Sequence, residues 1–287
     1  MKPAFLEGAL RRATGNASLR LTDTRPVGGG CIHEAARLST TAGEFFAKWN
    51  ARCPPDLFPS EAAGLEALRS AGSELHVPRV VAAARPESGH PGYLILEYLA
   101  PGRARRHDEV LGRGLASIHR KTAPGFGFDS DTYCGSTRQD NAACATWAEF
   151  YAKRRLRPMI DALGLDGDER RPFARLVDRL PDILPTASTA SLVHGDLWAG
   201  NVLETAAGPA LVDPACAYAD REMEFGITTL FGGLSARAWA AYEEAWPLPA
   251  GWRERNPLYQ LYHLLNHALL FGGGYMAQAR SAAAHFA

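Results

Sequence analysis

The spacing of apolar residues changes near residue 100, and the change divides the chain. Before it, apolar positions alternate or form short runs. Residues 19–27 (LRLTDTRPV), 33–40 (HEAARLST) and 44–50 (EFFAKWN) predict strands, the first pair joined across residues 28–32 and the second by 41–43. Residues 61–71 predict a helix, with Ser60 as N-cap, Ala62, Leu65 and Leu68 about one turn apart, and Gly72 as the stop. The apolar run at 93–99 (YLILEYL) predicts a buried strand that leads into the turn Ala100-Pro101-Gly102, the expected connection between two lobes. Beyond that turn the period is helical. Leu111, Leu115 and Ile118 make a core-facing stripe within 108–121, and helices are expected over 146–163, 169–180, 221–231, 235–245 and 257–270. Strand-like residues interrupt them only over 191–213.

That interruption carries the chemistry. Residues 202–204 (VLE) and 210–212 (ALV) flank a five-residue loop and predict a hairpin in which Val202 faces Val212, with Asn201 opposite Asp213 at its open end. Asp196 lies upstream in a bend with His194 and Gly195. A few oxygen ligands suit Mg²⁺ together with substrate phosphates, so Asn201 and Asp213 suit the metal and Asp196 is left to act on a hydroxyl. Taken alone, a His-Gly-Asp triplet is as compatible with turn capping as with catalysis. The Asp-x₄-Asn spacing followed by a hairpin ending in Asp favours phosphoryl transfer, which requires a phosphate loop and a cation upstream. Gly28, Gly29 and Gly30 supply the loop, because backbone N–H groups without side chains can approach phosphate oxygens. Lys48, a lone ammonium among Phe45, Phe46 and Trp49, supplies the cation, and Glu61 is its available partner.

Composition removes other classes. The chain has 287 residues, with 31 Lys and Arg against 31 Asp and Glu, so no excess of positive charge draws it to nucleic acid. No run spans a bilayer, and the first residues lack the apolar core of a signal peptide, so a cytoplasmic protein is expected. Five cysteines without a Cys-x-x-Cys pair argue against a disulfide framework or a structural zinc. His263 and His267 have the i, i+4 spacing of zinc peptidases, but Leu264 replaces the catalytic Glu, so a helix packed near the active site is expected instead.

The blocks GGGCIHEA, AAGLEALR, FGFDSDTYCGSTRQDN, HGDLWAGNVL, LVDPACAYADRE, TTLFGG and LYHLLNHALLFGGGY, in this order, resemble the fructosamine kinases, or ketosamine-3-kinases. These belong to the wider fold of aminoglycoside phosphotransferases and protein kinases. The resemblance implies an α+β, two-lobed protein-kinase-like fold: a mainly β nucleotide-binding lobe over 1–97, a hinge over 98–102 and a mainly helical catalytic lobe over 103–287. It implies an enzyme that uses ATP and Mg²⁺ to phosphorylate the 3-hydroxyl of a free or protein-bound ketosamine, leading to deglycation. Lys48 would contact the α/β-phosphates and pair with Glu61, and Glu97 and Leu99 would offer backbone groups to adenine. Asp196 would be the catalytic aspartate, Asn201 and Asp213 the metal ligands, and Trp198 a wall of the sugar-amine pocket, with His267 lining it. His33, Cys216, Ala217, Glu224 and Thr229 depart from the family pattern, and Cys216 and Ala217 would reshape the pocket. Cys31, beside three glycines whose N–H groups form a positive concavity, is a candidate redox switch. An aminoglycoside or choline-like kinase and a nucleotide-binding pseudokinase remain as alternatives.

Overall fold

A computed structural model of the chain describes residues 4–28 and 33–286. Alternating burial builds a five-stranded antiparallel sheet from β1 (Leu21–Pro26), β2 (Glu34–Thr40), β3 (Gly43–Asn50), β4 (Val80–Ala84) and β5 (Gly92–Glu97), in the order β1-β2-β3-β5-β4. One face is covered by α1 (Ala4–Thr14), which the strand-dominated reading of this region left unassigned. Leu6 and Leu10, one helical turn apart, pack with Ala36, Leu38, Ala47 and Ile95 of the sheet. Helix α2 (Leu57–Arg69) begins earlier than expected. Buried Leu57 and Phe58 extend its apolar face, so Ser60 lies inside the helix and its hydroxyl donates to the Leu57 carbonyl at 2.9 Å.

The remainder is mainly helical: α3 (His107–His119), α4 (Trp147–Phe150), α5 (Arg157–Ala162), α6 (Gly167–Ile183), α7 (Glu224–Phe231), α8 (Ala236–Ala245), α9 (Trp252–Phe271) and α10 (Tyr275–Phe286). A π-helical stretch over Tyr151–Leu156 joins α4 to α5. Short strands fall between them: β6 (Thr122–Ala123), β7 (Thr132–Cys134), β8 (Thr137–Gln139), β9 (Ala190–Val193), β10 (Val202–Thr205), β11 (Gly208–Leu211) and β12 (Ala217–Ala219). The Leu111, Leu115 and Ile118 stripe of α3 is buried as its spacing predicts. Its Gly112 lies so close to α8 that a Cβ there would run into the Ala238 carbonyl and come within 2.8 Å of the Tyr242 nitrogen. One apolar cluster joins Phe58 and Leu65 of α2 and Leu94 of β5 to Leu192, Leu211 and Phe225, so the two parts of the molecule share a core. No helix among the described residues is long and apolar enough to cross a membrane.

The β10–β11 hairpin differs from its expected register. Val202 faces Leu211, not Val212, and the connection is a tight turn at Ala206 and Ala207. Gly208, at φ +140°, adopts a conformation that L side chains rarely enter, which lets the turn close with two residues instead of five. The hairpin is hydrogen-bonded on both flanks. His76 donates to the Pro209 carbonyl (3.0 Å) and accepts from Leu211 (2.9 Å), while Gly102 donates to Glu204 (3.1 Å) and Ala206 to Ala100 (3.3 Å).

Candidate active site

Lys48 sits in β3 opposite Leu94 and is only 6% exposed, so its ammonium needs charged partners. It has two. Nζ lies 2.6 Å from Glu61 and 2.9 Å from Asp213. Burial would discharge the amine, but Asp213 and then Glu61 outweigh it and raise its pKa. Burial pushes Glu61 up to about 7 against the pull of Lys48. Glu61 reaches this position because α2 packs closely at Gly64, where a Cβ would come within 3.3 Å of both Pro214 and Cys216. Cys216 and Ala217 are therefore core residues, 0% and 1% exposed, rather than groups at a pocket surface.

The loop after β9 holds the other half. Its first peptides are fixed from behind by Glu224, 1% exposed, whose carboxylate accepts from the His194 N–H at 2.5 Å and the Gly195 N–H at 2.9 Å. His119 approaches the same carboxylate at 3.5 Å and Tyr242 at 2.8 Å. Burial opposes the charge on Glu224, but His119 and the backbone donor hold its pKa below the usual carboxylate range. Gly195 has φ +79°, and a Cβ there would run into the Ala215 carbonyl, so glycine is required. His194 Nε2 donates to the Val212 carbonyl at 2.9 Å, and Ala215 donates back to the His194 carbonyl at 2.8 Å, which ties this loop to the segment bearing Asp213. Within the loop, Asn201 Nδ2 donates to the Asp196 carbonyl (2.8 Å) and carboxylate (3.2 Å), leaving its Oδ1 as the free acceptor. Burial and then the charge of Asp213 push Asp196 up to about 8. Asp213 itself has φ +56° and a side chain 53% exposed; burial would raise its pKa, but Lys48 more than offsets this and lowers it.

The structure thus joins Lys48 to Glu61 and Asp213 and Asn201 to Asp196, with Asp213 and Asp196 close enough to interact electrostatically. Trp198 lies at the rim, 39% exposed, with its indole folded over Gly200. His267 packs in an aromatic cluster: its Nδ1 donates to the His263 carbonyl at 2.8 Å, and its ring centroid lies 4.7 Å from that of Phe231 and 5.1 Å from that of Tyr275. The histidine beside Asp196 is His263, in company with Cys134. The sequence reading expected the helix bearing His263 to pack near the active site, whereas it gave Cys134 no role there, although Cys134 lies in a block it quoted. The supporting function of Glu224 and His119 carried no local signal, since the three segments involved are about 30 and 105 residues apart.

A cavity of about 320 Å³ lies where β5 meets the following segment, lined by Glu97, Tyr98, Leu99 and Ala100 on one side and Thr205, Ala206 and Ala207 on the other. The Glu97 N–H donates to the Arg79 carbonyl at 3.0 Å, so it cannot serve a ligand. Among the described residues the Leu99 N–H has no backbone partner. Gly28 is exposed; Gly29, Gly30 and Cys31 lie outside the described residues.

A family model for fructosamine kinase matches residues 7–286. The chain is 36% identical over 275 residues to a chloroplastic protein-ribulosamine 3-kinase of Oryza sativa subsp. indica, covering 93% of this chain and 80% of that one. It is 32% identical over 300 residues to the ketosamine-3-kinase of Mus musculus, covering 94% and 96%. A solved candidate fructosamine-3-kinase from Thermobifida fusca superposes with a TM-score of 0.83 at 31% identity, covering 96% of this chain and 97% of that one. With its two-lobed kinase-like fold, the chain belongs to the fructosamine kinase family and is an ATP-dependent phosphotransferase.

Proposed function

We propose that this enzyme transfers the γ-phosphoryl group of ATP to the 3-hydroxyl of a ketosamine, releasing ADP, and that breakdown of the product frees the amine. The observation that carries the reading is the placement of Asp196: its carboxylate is bonded by Asn201 and interacts electrostatically with Asp213, the partner of Lys48. In this scheme residues 1–97 bind the nucleotide, 98–102 form the hinge, and 103–287 hold the acceptor. The base stacks in the cavity by the hinge, taking its bonds from the Glu97 carbonyl and the Leu99 N–H. Gly28, Gly29 and Gly30 are assigned by their sequence to phosphate binding, and Lys48 neutralises phosphate charge.

Asn201 Oδ1 and the half-exposed Asp213 carboxylate are the oxygen ligands that Mg²⁺ favours, and they would hold it. Bound there, Mg²⁺ supplies charge neutralisation at the phosphates. Asp196 orients the acceptor hydroxyl and takes its proton as the oxygen attacks phosphorus. Trp198, exposed at the rim, offers an indole face to the cationic amine of the adduct. The named substrates of the relatives, a protein-bound ribulosamine and a ketosamine, support this acceptor class.

ADP release with fructosyl-lysine, ribulosyl-lysine, kanamycin and choline at matched concentrations tests the assignment. Turnover is expected with both ketosamines, free or protein-bound. Faster turnover of kanamycin or choline would move the enzyme to another acceptor class, and nucleotide binding with no turnover of any acceptor would make it a pseudokinase.

A further inference from the structure

Three side chains with metal-ligating atoms meet beside Asp196, each from a different element. Cys134 ends β7, Asp196 lies in the loop after β9, and His263 lies in α9; one ligand atom from each lies within 4.8 Å of the others. Cys134 is 3% exposed and His263 1%. Nδ1 of His263 is buried without a hydrogen-bond partner, an unusual state for an imidazole in a packed interior. Burial holds this histidine down to about 3, so its ring is neutral near pH 7 and keeps a lone pair. The Cys134 sulfur lies within 4.8 Å of an Asp196 carboxylate oxygen.

The surroundings hold these groups in place. Asn266, one turn from His263 on α9, donates to the Cys134 carbonyl at 3.3 Å and accepts from the Thr137 hydroxyl of β8 at 2.5 Å. The β7–β8 hairpin is thereby tied to α9, and both elements are packed before any ligand arrives.

A sulfur, a ring nitrogen and a carboxylate oxygen are a poor set for Mg²⁺, which favours oxygen, and a good set for zinc. Around tetrahedral zinc such ligands sit roughly 3.5 Å apart, so the cluster closes on an ion with shifts of about an ångström. We propose that Cys134, Asp196 and His263 form a binding site for Zn²⁺ or a similarly thiophilic divalent cation, and that occupation of this site blocks acceptor phosphorylation. On binding, the metal–sulfur bond replaces the S–H bond and the metal–oxygen bond forms to the ionised Asp196 carboxylate, and the thiol proton, with any proton on Asp196, passes to solvent. Three protein ligands leave a fourth position for water. The Asp196 lone pair is then committed to the metal and cannot accept the hydroxyl proton. The blocking effect rests on the reading of Asp196 as the base, whereas the binding does not.

Co²⁺ titrated into the nucleotide-free full chain reads the binding directly, through a thiolate-to-cobalt charge-transfer band. One equivalent is expected to bind with such a band, the band to vanish in Cys134→Ser, and the affinity to fall by about tenfold or more in His263→Gln. Zn²⁺ should inhibit ADP release at saturating Mg-ATP, chelator should reverse it, and Cys134→Ser should require about tenfold more Zn²⁺ for the same inhibition. No charge-transfer band, or a band unchanged in Cys134→Ser, overturns the site. A band lost in Cys134→Ser but without inhibition of the wild type upholds the site and overturns both the block and the assignment of Asp196 as base.

Discussion

Replacing Glu224 with glutamine tests how the loop bearing Asp196 is held. The carboxylate receives three donors, the N–H groups of His194 and Gly195 and the His119 ring, and it is 1% exposed, so no water substitutes for a lost partner. Glutamine offers one carbonyl oxygen and one NH₂. With the NH₂ at the Oε1 position it faces the Gly195 N–H alone, and at the Oε2 position it faces both the His194 N–H and the His119 ring; the milder arrangement removes one bond to a charged acceptor at about 1.5–3 kcal/mol and leaves one donor unsatisfied at about 1–3 kcal/mol. The combined loss is about 2.5–6 kcal/mol, a large share of the roughly 5–15 kcal/mol that holds a typical domain. The two affected peptides immediately precede Asp196. A displacement there of about 1 Å would lower kcat by about 100-fold. ATP affinity should change little, because Lys48 and the hinge cavity are not attached to Glu224. Urea unfolding followed by tryptophan fluorescence, single-turnover phosphate transfer and nucleotide titration separate these effects. A variant that loses less than about 1 kcal/mol and keeps wild-type kcat would refute the claim that Glu224 sets the loop.

Asp196→Asn should lower kcat by about 10²–10⁴-fold with ATP binding nearly intact, whereas Lys48→Ala should weaken ATP binding and turnover together. Isothermal titration with ATP beside steady-state kinetics distinguishes the two, and an unchanged nucleotide Kd in Lys48→Ala would move the phosphate cation elsewhere. Gly112→Ala should destabilise the fold by about 1–3 kcal/mol or more, since α3 and α8 must separate to admit a methyl group that otherwise meets the Ala238 carbonyl; a urea midpoint equal to wild type would contradict that contact.

Periodicity located the strands around Lys48 and most of the helices, because their apolar faces repeat within a few residues. The Asp-x₄-Asn spacing, the hairpin ending in Asp213 and the lone ammonium among aromatics singled out Asp196, Asn201, Asp213 and Lys48 as candidates, to which the family resemblance gave roles. What escaped depends on contacts between distant segments. The hairpin register rested on a loop length that Gly208 made shorter than expected. The support of Glu224 for His194 and Gly195, and the approach of His263 to Cys134 and Asp196, require the folded packing of α7 and α9 against the loop after β9. Of HLLNH, spacing alone could not show that His263 turns toward Asp196 while His267 turns into the aromatic cluster of Phe231 and Tyr275.

The β10–β11 hairpin is sewn to His76 on one flank and to Ala100 and Gly102 on the other. Any rocking of the sheet over the helical part must therefore pivot on this seam, where displacement is smallest. The hinge cavity lies against the pivot, with walls of Thr205, Ala206 and Ala207 that travel with the seam. Lys48 is carried on the sheet, three residues along β3 from the Phe45 that pairs with Glu97, and its ammonium meets Asp213, two residues beyond the seam residue Leu211. A few degrees of opening would stretch the Lys48–Asp213 contact while leaving the cavity by the hinge unchanged in shape. Recognition of a base and alignment of a transferable phosphate are in this way mechanically separable, so a mutation that loosens the lobes would slow transfer long before it weakened nucleoside binding.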